Sequence, residues 1–334
     1  MDRLGGRAVS IRNKGNPKTA HELSYATAST PLIRRWLIRT IENVSGRCGL
    51  VKIYHGWRAK SAGGPRMWRD ALDMIGTRLE INAPADWQGF LPDGPLIIIA
   101  NHPFGIADGI AILSLAEQIG RPYRCLINAD FMRLPEVHAL ALPIDFSETK
   151  EALATNLKTR NEARRLLKEG VTLVIFPAGG VATAEKPFGA AEELPWKAFT
   201  ARLIQRSGAT VLPVYFEGQN SALFHFVSRY SLSLRLALLV LEFRHRIGAT
   251  IRATVGPPVS WTEIEASAIG GSVIDELYVR VHRLAPGAGN KDRAALLPRP
   301  IHQRRLYPWD PARGPASLRP QGENSAGMET STNG

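Results

Sequence analysis

Short apolar runs alternate with amphipathic stretches along most of this chain. The runs have the length and composition of buried β-strands, and they span residues 79–81, 96–100, 124–127, 141–144, 172–176, 210–216 and 251–255. Helical periodicity fills most of the gaps, over residues 67–75, 109–118, 134–139, 151–168, 196–207 and 232–246. Strands that alternate with helices predict an α/β fold in which a mostly parallel sheet is flanked by helices.

This pattern fades towards both ends of the chain. Residues 1–28 are polar and predict a flexible N-terminal arm, whereas residues 286–334 are rich in proline, glycine and arginine and predict a disordered tail. Residues 29–285 between them predict one domain. Within that domain we expect an N-terminal helical region over 29–76, followed by a core over about 77–260.

The chain is strongly basic, since its 334 residues carry a formal net charge of +12 and its pI is about 10.0. Such a charge attracts anionic surfaces, either nucleic acid or an anionic membrane. The sequence has no zinc-finger spacing, no ribonucleoprotein-type aromatic motif and no recognition helix with a basic run. We therefore expect an anionic membrane surface as a partner and no nucleic acid.

Two stretches bear on how the chain would meet a membrane. A basic amphipathic helix near 31–43 can either pack on the protein body or lie in a membrane interface. The most apolar stretch, 232–243, contains Arg235 and Glu242, so no segment reaches the eighteen or so apolar residues that cross a bilayer. The N-terminus also lacks the apolar core of a signal peptide. These features predict a cytoplasmic protein, peripheral at the inner face of the cell membrane.

Candidate acid/base chemistry lies where the second apolar run ends. Asn101 and then His102 follow this run, and Asp108 comes six residues after His102, across a turn that contains Pro103 and Gly105. In an uninterrupted helix this spacing would point the two side chains apart, so they meet only if the backbone bends between them. Proline and glycine supply that bend. A pair of this kind is either a catalytic base with its orienting carboxylate or a helix-capping aspartate beside a polar loop histidine.

Neither the cysteines nor the other histidines indicate a metal centre. Cys48 and Cys125 have no metal-binding spacing, and Cys125 lies in a predicted strand, where we expect a buried free thiol. The remaining histidines have no adjacent carboxylate in a recognisable motif. The sequence therefore predicts no metal site.

Four blocks together resemble the glycerolipid acyltransferase superfamily. The first, His102-Pro-x-Gly-x-x-Asp-Gly109, is similar to the hemolysin-like branch of lysophospholipid acyltransferases. Residues 130–136 resemble the second block, with Arg133 at its basic position, while 175–180 resemble the third and 211–218 the fourth. The resemblance covers about residues 90 to 260 and implies the α/β fold of that superfamily.

The resemblance also implies site residues. His102 would be the general base and Asp108 its orienting partner, while Arg133 would bind a substrate phosphate. Further substrate contacts would come from the third and fourth blocks, from Pro177, Gly179, Gly180 and Glu217. In its third block the wider superfamily has a glutamate that helps to place the polar acceptor. This chain has Ala178 at that position. No acidic residue stands close to Ala178 along the chain, which puts glycerol 3-phosphate in doubt as the acceptor.

The predicted activity is therefore transfer of a fatty acyl chain to the hydroxyl of a lysophospholipid or related lysolipid. Acyl-CoA or acyl-carrier protein would be the co-substrate, and no other cofactor is expected. Because no serine stands in a nucleophile-elbow pattern, direct transfer without an acyl-enzyme is the simpler mechanism. Two alternatives remain: N- or O-acyl transfer in the synthesis of an aminolipid such as ornithine lipid, and a non-catalytic lipid-binding protein.

Overall fold

The computed structural model describes residues 47–129, 132, 135–145, 149–268, 272–300 and 304. The predicted arm over 1–28 and the predicted amphipathic helix near 31–43 lie outside these residues. The described part of the predicted N-terminal helical region contains two helices, which pack against each other ahead of the first strand.

A seven-stranded sheet forms the centre of the molecule. Its strands are β1 (Arg78–Asn82), β2 (Leu96–Ala100), β3 (Tyr123–Asn128), β4 (Ala141–Ile144), β5 (Thr172–Ile175), β8 (Thr210–Phe216) and β9 (Thr250–Val255). They lie in the spatial order β1-β9-β8-β2-β5-β3-β4, and neighbouring strands are parallel except for the antiparallel pair β8 and β9. This confirms the predicted α/β fold with a mostly parallel sheet. A separate antiparallel pair is formed by β6 (Thr183–Ala184) and β7 (Ala191–Glu192).

Helices connect the strands and cover both faces of the sheet. Those of the N-terminal half are α1 (Arg47–Ser61), α2 (Met67–Met74), α3 (Ile106–Ile119), α4 (Pro135–His138) and α5 (Lys150–Lys168). Those of the C-terminal half are α6 (Ala198–Ser207), α7 (Ala222–Ser228), α8 (Leu232–His245), α9 (Trp261–Ser267), α10 (Val273–His282) and α11 (Arg293–Leu296). One 3₁₀ turn, Trp87–Phe90, precedes β2. None of the helices in the described part of the chain is long and apolar enough to span a membrane.

The unbroken apolar character of β2 follows from its central place in the sheet. Ile98 and Ala100 enter the core on one face, together with side chains of α2 and α3. Ile97 and Ile99 enter the core on the other face, together with side chains of α5, α6 and α10. Because side chains alternate along a strand, a strand covered on both faces must be apolar at every position.

Part of the predicted C-terminal tail is described, over residues 286–300 and at Arg304. It contains the one-turn helix α11, and Arg299 pairs with both Glu185 and Glu192 at 2.8 Å. The Arg304 guanidinium donates to the backbone carbonyl of Glu193 at 3.0 Å. These arginines bring the described end of the chain against the β6–β7 pair. The division into arm, domain and tail stays a prediction.

Candidate active site

Three neighbouring parallel strands bring the predicted blocks to one edge of the sheet. The carboxyl ends of β8, β2 and β5 lie side by side. Glu217 follows β8, Phe176 follows β5, and Asn101 and His102 follow β2. The buried amide of Asn101 joins two of these ends, because its nitrogen donates to the Phe216 carbonyl at 2.9 Å and its oxygen accepts from the Phe216 N–H at 2.7 Å. The edge where substrates bind in such sheets is therefore fixed at His102.

The turn after His102 brings Asp108 back to the imidazole. Gly105 stands immediately before α3 with φ +90°, a backbone conformation that side chains disfavour. Asp108 lies in the first turn of α3, where its Oδ1 is 3.1 Å from Nδ1 of His102. Its Oδ2 accepts the backbone N–H of Phe104 at 2.9 Å. The carboxylate thus holds the turn with one oxygen and faces the histidine with the other.

The imidazole is oriented with one nitrogen buried and the other accessible. Asp108 is completely buried, whereas the His102 side chain keeps 17% of its surface exposed. Nδ1 is buried against the carboxylate, at hydrogen-bond distance although not aligned as a regular hydrogen bond, and the ring stacks on Phe176 with centroids 4.0 Å apart. Burial of Nδ1 leaves Nε2 on the accessible edge of the ring, the position that a general base requires.

Both backbone groups of His102 are held as well. Its carbonyl accepts from the Ala182 N–H at 2.8 Å, which ties the turn to the segment that directly follows the third block. Its N–H donates to Oε1 of Glu193 at 2.9 Å. This carboxyl was not predicted from the sequence, because only the chain neighbours of Ala178 were expected to supply an acidic group. Glu193 stands fifteen positions further on, and no local motif marks it.

Glu193 belongs to a buried cluster behind His102. Its Oε2 accepts from the Trp196 indole N–H at 2.8 Å and lies 3.4 Å from Nε2 of His282. Burial raises the pKa of Glu193 to about 7, although the two donated hydrogen bonds and the charge of His102 act in the opposite direction. Burial also lowers the pKa of His282 to about 4, which keeps that ring neutral.

The contacts of His282 determine which atoms of the Glu193–His282 pair carry protons. Nδ1 of His282 donates to the Tyr278 carbonyl, at 2.9 Å, so Nε2 of the neutral ring carries no proton. A neutral Glu193 can present its proton to that nitrogen, whereas a charged Glu193 faces a lone pair. His102 and Asp108 are the groups whose charges act on Glu193, so ionisation of Glu193 would be felt at the dyad.

This arrangement predicts a pH-dependent stability that Glu193→Gln removes. The raised pKa of Glu193 means that the folded state keeps a proton which the unfolded chain releases near pH 4.5. The free energy of unfolding contributed by this group is therefore full below about pH 4.5 and falls by about 3 kcal/mol as the pH rises through about 7. Denaturant unfolding of native protein and variant between pH 5 and 8 should show that difference.

The difference in unfolding free energy between native protein and variant at each pH reports on Glu193. Titration of His282 changes stability with pH in the opposite direction, but it does so in both proteins and largely cancels in the difference. A suitable control is Glu80→Gln, since the side chain of Glu80 is 46% exposed on β1. Parallel stability curves for the Glu193 variant and native protein would contradict the assignment.

The third-block loop packs against the stretch that carries Glu193. The Pro177 carbonyl accepts from the Lys197 N–H at 2.9 Å, and a Cβ on Gly180 would lie 2.9 Å from a Leu194 methyl. Gly179 has φ +69°, and its N–H closes a turn onto the Phe176 carbonyl at 2.9 Å. That amide is therefore already engaged within the loop. The close packing at Gly180 explains why no larger residue stands there.

An arginine that the sequence argument did not single out lies beside the dyad. The Arg246 guanidinium covers the Phe104 ring at 3.9 Å and donates to the Gln219 carbonyl at 3.0 Å. Burial lowers the pKa of Arg246, while the charges of Glu242 and Asp108 raise it. Gly218 also packs closely on the Phe104 ring, where a Cβ would lie 2.9 Å from its tip. Phe104 therefore connects the fourth block, which contains the half-buried Glu217, to the dyad turn.

Three further predictions concern Arg133, Cys125 and the metal site. Arg133 lies outside the described residues, so its role stays a prediction. Cys125 is a buried free thiol, as expected, and burial raises its pKa to about 12. A thiol with so high a pKa is a poor nucleophile. The described residues contain no group of three or more histidine, cysteine, aspartate or glutamate side chains that could hold a metal ion.

Comparison with known proteins finds matches over the region that contains this site. A family model described as Acyltransferase matches residues 82–282. Two curated relatives are named lyso-glycine lipid O-acyltransferase. The one from Phocaeicola vulgatus is 27% identical over 57% of this chain and 67% of its own length, and the one from Bacteroides thetaiotaomicron is 28% identical over 52% and 64%. This chain thus spans about two thirds of the length of these relatives.

Among solved structures, one similar chain is the 1-acyl-sn-glycerophosphate (LPA) acyltransferase PlsC from Thermotoga maritima. It is 15% identical, covers 70% of this chain and 92% of its own, and superposes with a TM-score of 0.41.

Proposed function

This chain belongs to the acyltransferase family, within the glycerolipid acyltransferase superfamily that its four blocks resemble, and we propose that it acylates a lysolipid. The acyl chain would come from acyl-CoA or acyl-carrier protein, and the acceptor would be a hydroxyl of a lysophospholipid or related lysolipid. The observation that carries the proposal is the contact of 3.1 Å between His102 Nδ1 and Asp108 Oδ1 at the sheet edge. A buried carboxylate that orients an accessible imidazole is suited to accept a proton from an alcohol.

The proposed reaction needs no covalent enzyme intermediate. Nε2 of His102 takes the hydroxyl proton as the oxygen attacks the thioester carbonyl carbon, and Asp108 stabilises the imidazolium that forms. The tetrahedral adduct collapses with cleavage of the carbon–sulfur bond, and the imidazolium returns its proton to the departing sulfur. Ester and free thiol are the products. The backbone amides of Phe104, Gly109 and Gly179 already donate within the protein, so they are not free for the developing oxyanion.

Two cationic positions suit the anionic groups of the substrates. Arg246 lies against Phe104 in the dyad turn, and its Nε is buried without a partner among the described residues. A guanidinium with a free N–H is suited to a phosphate or carboxylate headgroup. Arg133 remains the predicted second contact. The basic charge of the chain favours peripheral binding to the inner, cytoplasmic face of the cell membrane, where the reaction would take place.

A second candidate is favoured by the names of the curated relatives. Both are called lyso-glycine lipid O-acyltransferase, and we therefore consider a lyso-glycine lipid as an acceptor beside a lysophospholipid. The absence of a glutamate at Ala178 agrees with an acceptor other than glycerol 3-phosphate. Transfer to an amine, in place of a hydroxyl, is the third outcome to be distinguished.

Incubation with a panel of acceptors tests these candidates. We expect labelled acyl-CoA or acyl-carrier protein to give an alkali-labile ester on at least one single-chain lipid, because His102 is placed to deprotonate an alcohol. The panel should contain lysophospholipids, lyso-glycine lipid and a single-chain lipid with a free amine, and products should be identified by mass spectrometry. An alkali-stable amide would favour the amine acceptor. Folded protein that acylates nothing with either donor would contradict the proposal.

A further inference from the structure

The two helices that follow β8 expose a cluster of large apolar side chains. Leu223, Phe226, Tyr230 and Leu232 are each between 45% and 59% exposed, and together they are termed the hairpin surface. The first three follow one another at helical spacing along α7 and its end, and the rings of Phe226 and Tyr230 are 5.3 Å apart. Leu223, Phe226 and Tyr230 therefore form one apolar stripe rather than scattered residues, and Leu232 follows two positions later at the start of α8.

The opposite side of α7 is fixed to the protein body. Phe224, His225 and Ser228 are buried, and the Ala184 N–H donates to Nδ1 of His225 at 3.2 Å. The buried guanidinium of Arg235, on α8, donates to Ser228 Oγ at 3.0 Å, to Thr183 and to the Val181 carbonyl. These contacts fasten α7 and α8 to residues 181–184 of the protein body, so the exposed side chains project from anchored helices.

The second of these helices, α8, touches the dyad turn. A Cβ on Gly105 would lie 3.0 Å from a methyl group of Leu239, on α8, and 3.2 Å from a methyl group of Val181. Just beyond the other end of α8, Arg246 covers Phe104. The hairpin surface is thus carried by α7 and the start of α8, and α8 packs directly against the turn between His102 and Asp108.

The charges around the hairpin surface are basic. No aspartate or glutamate occurs from residue 218 to 241, and the Arg229 guanidinium lies 5.9 Å from the centre of the Tyr230 ring. The turn between β6 and β7 adds the exposed side chains of Lys186 and Phe188, and the carboxylate in that turn, Glu185, is paired with Arg299. Exposed aromatic rings combined with arginine and lysine are typical of protein surfaces that bind anionic bilayers.

We propose that the hairpin surface docks on an anionic lipid bilayer and thereby presents the dyad to lysolipid in the membrane. The second half of this statement rests on the proposed function, whereas the first does not. A second copy of the chain fits the surface less well, because four side chains are far fewer than the roughly 20 to 30 residues that each partner contributes to a standard interface.

Sedimentation with vesicles tests the docking directly. Phe226→Ser/Tyr230→Ser should bind vesicles of phosphatidylglycerol and phosphatidylcholine at least about tenfold more weakly than the native chain, because two aromatic side chains no longer enter the bilayer. Phe226→Trp/Tyr230→Trp should restore binding. Arg229→Gln should weaken binding to the mixed vesicles and leave binding to phosphatidylcholine alone unchanged.

The chain offers a matched control on the other face of the sheet. Leu153 and Leu157 are 75% and 60% exposed on α5, so Leu153→Ser/Leu157→Ser removes similar apolar surface and should bind as the native chain does. Native-like vesicle binding by the hairpin variant would overturn the proposal. So would a change from dimer to monomer in light scattering, which would identify the surface as a contact between copies.

Activity measurements separate this proposal from the proposed function. With lysolipid embedded in vesicles, the hairpin variant should lose activity in parallel with binding. With a short-chain lysolipid dispersed below its micelle concentration, it should retain native activity. If the native chain binds vesicles but acylates neither substrate, the proposed function fails and the docking surface stands. If the hairpin variant binds weakly yet acylates vesicle lysolipid normally, docking does not present the site and the proposal is overturned.

Discussion

His102→Ala is expected to lower the rate of acyl transfer by about 10²- to 10⁴-fold, the range contributed by a positioned general base. The variant removes the accessible nitrogen that would accept the hydroxyl proton. It leaves Asn101, Gly105 and the backbone contacts of His102 in place, so folding and vesicle binding should stay near the native level. Initial rates with the best acceptor of the panel, combined with circular dichroism, measure both effects.

A histidine on the same part of the fold provides the control. His245, at the end of α8, is 52% exposed, and we expect His245→Ala to retain native activity. Activity of the His102 variant within a fewfold of native would mean that the imidazole does not carry the proton, and the proposed mechanism would then be abandoned.

Asp108→Asn should produce the second large loss, also about 10²- to 10⁴-fold. The carboxylate has two acceptor oxygens, one for the Phe104 N–H and one facing Nδ1 of His102. An asparagine has one acceptor oxygen, so its NH₂ group must face either the Phe104 N–H or the imidazole. If it faces the imidazole, Nδ1 becomes the acceptor and Nε2 carries the proton, which is the wrong tautomer for a base.

A structural role alone would give a different result for the Asp108 variant. Loss of the turn contact would lower stability and activity together, whereas loss of the tautomer should lower kcat with little change in the unfolding midpoint. Asp73→Asn, at a half-exposed position of α2, serves as the control and should change neither quantity. Native kcat in the Asp108 variant would leave the histidine without its assigned partner.

The strands were well predicted because the sheet is covered on both faces. Each of the seven predicted strands ends within one residue of its observed bounds, since a fully apolar run such as Leu96–Ala100 has few other possible positions. Helices were predicted less completely. With seven residues each, α7 and α9 span less than two turns, too short for a periodicity to emerge. In α10, Val273, Leu277 and Val281 are helically spaced, so that helix was recognisable but was overlooked.

The candidate site was predicted only as far as local motifs reach. The turn from His102 to Asp108 is local, and its proline, glycine and six-residue spacing indicate how it bends. Glu193 and Arg246 come to the same place from distant elements, and nothing in their own neighbourhoods distinguishes them from ordinary surface charges. Only the order of strands in the sheet and the packing of α8 reveal that these groups belong together.

The reversal of direction between β8 and β9 has a topological consequence. In a parallel pair, the intervening helices must carry the chain back to the opposite rim before the next strand can start. Here β9 begins at the rim where β8 ends, as the pairing of Phe216 with Ala253 requires. The segment that contains helices α7 and α8 therefore starts and ends at the same rim of the sheet. The path of the backbone thus keeps the hairpin surface and the imidazole of His102 on the same side of the molecule.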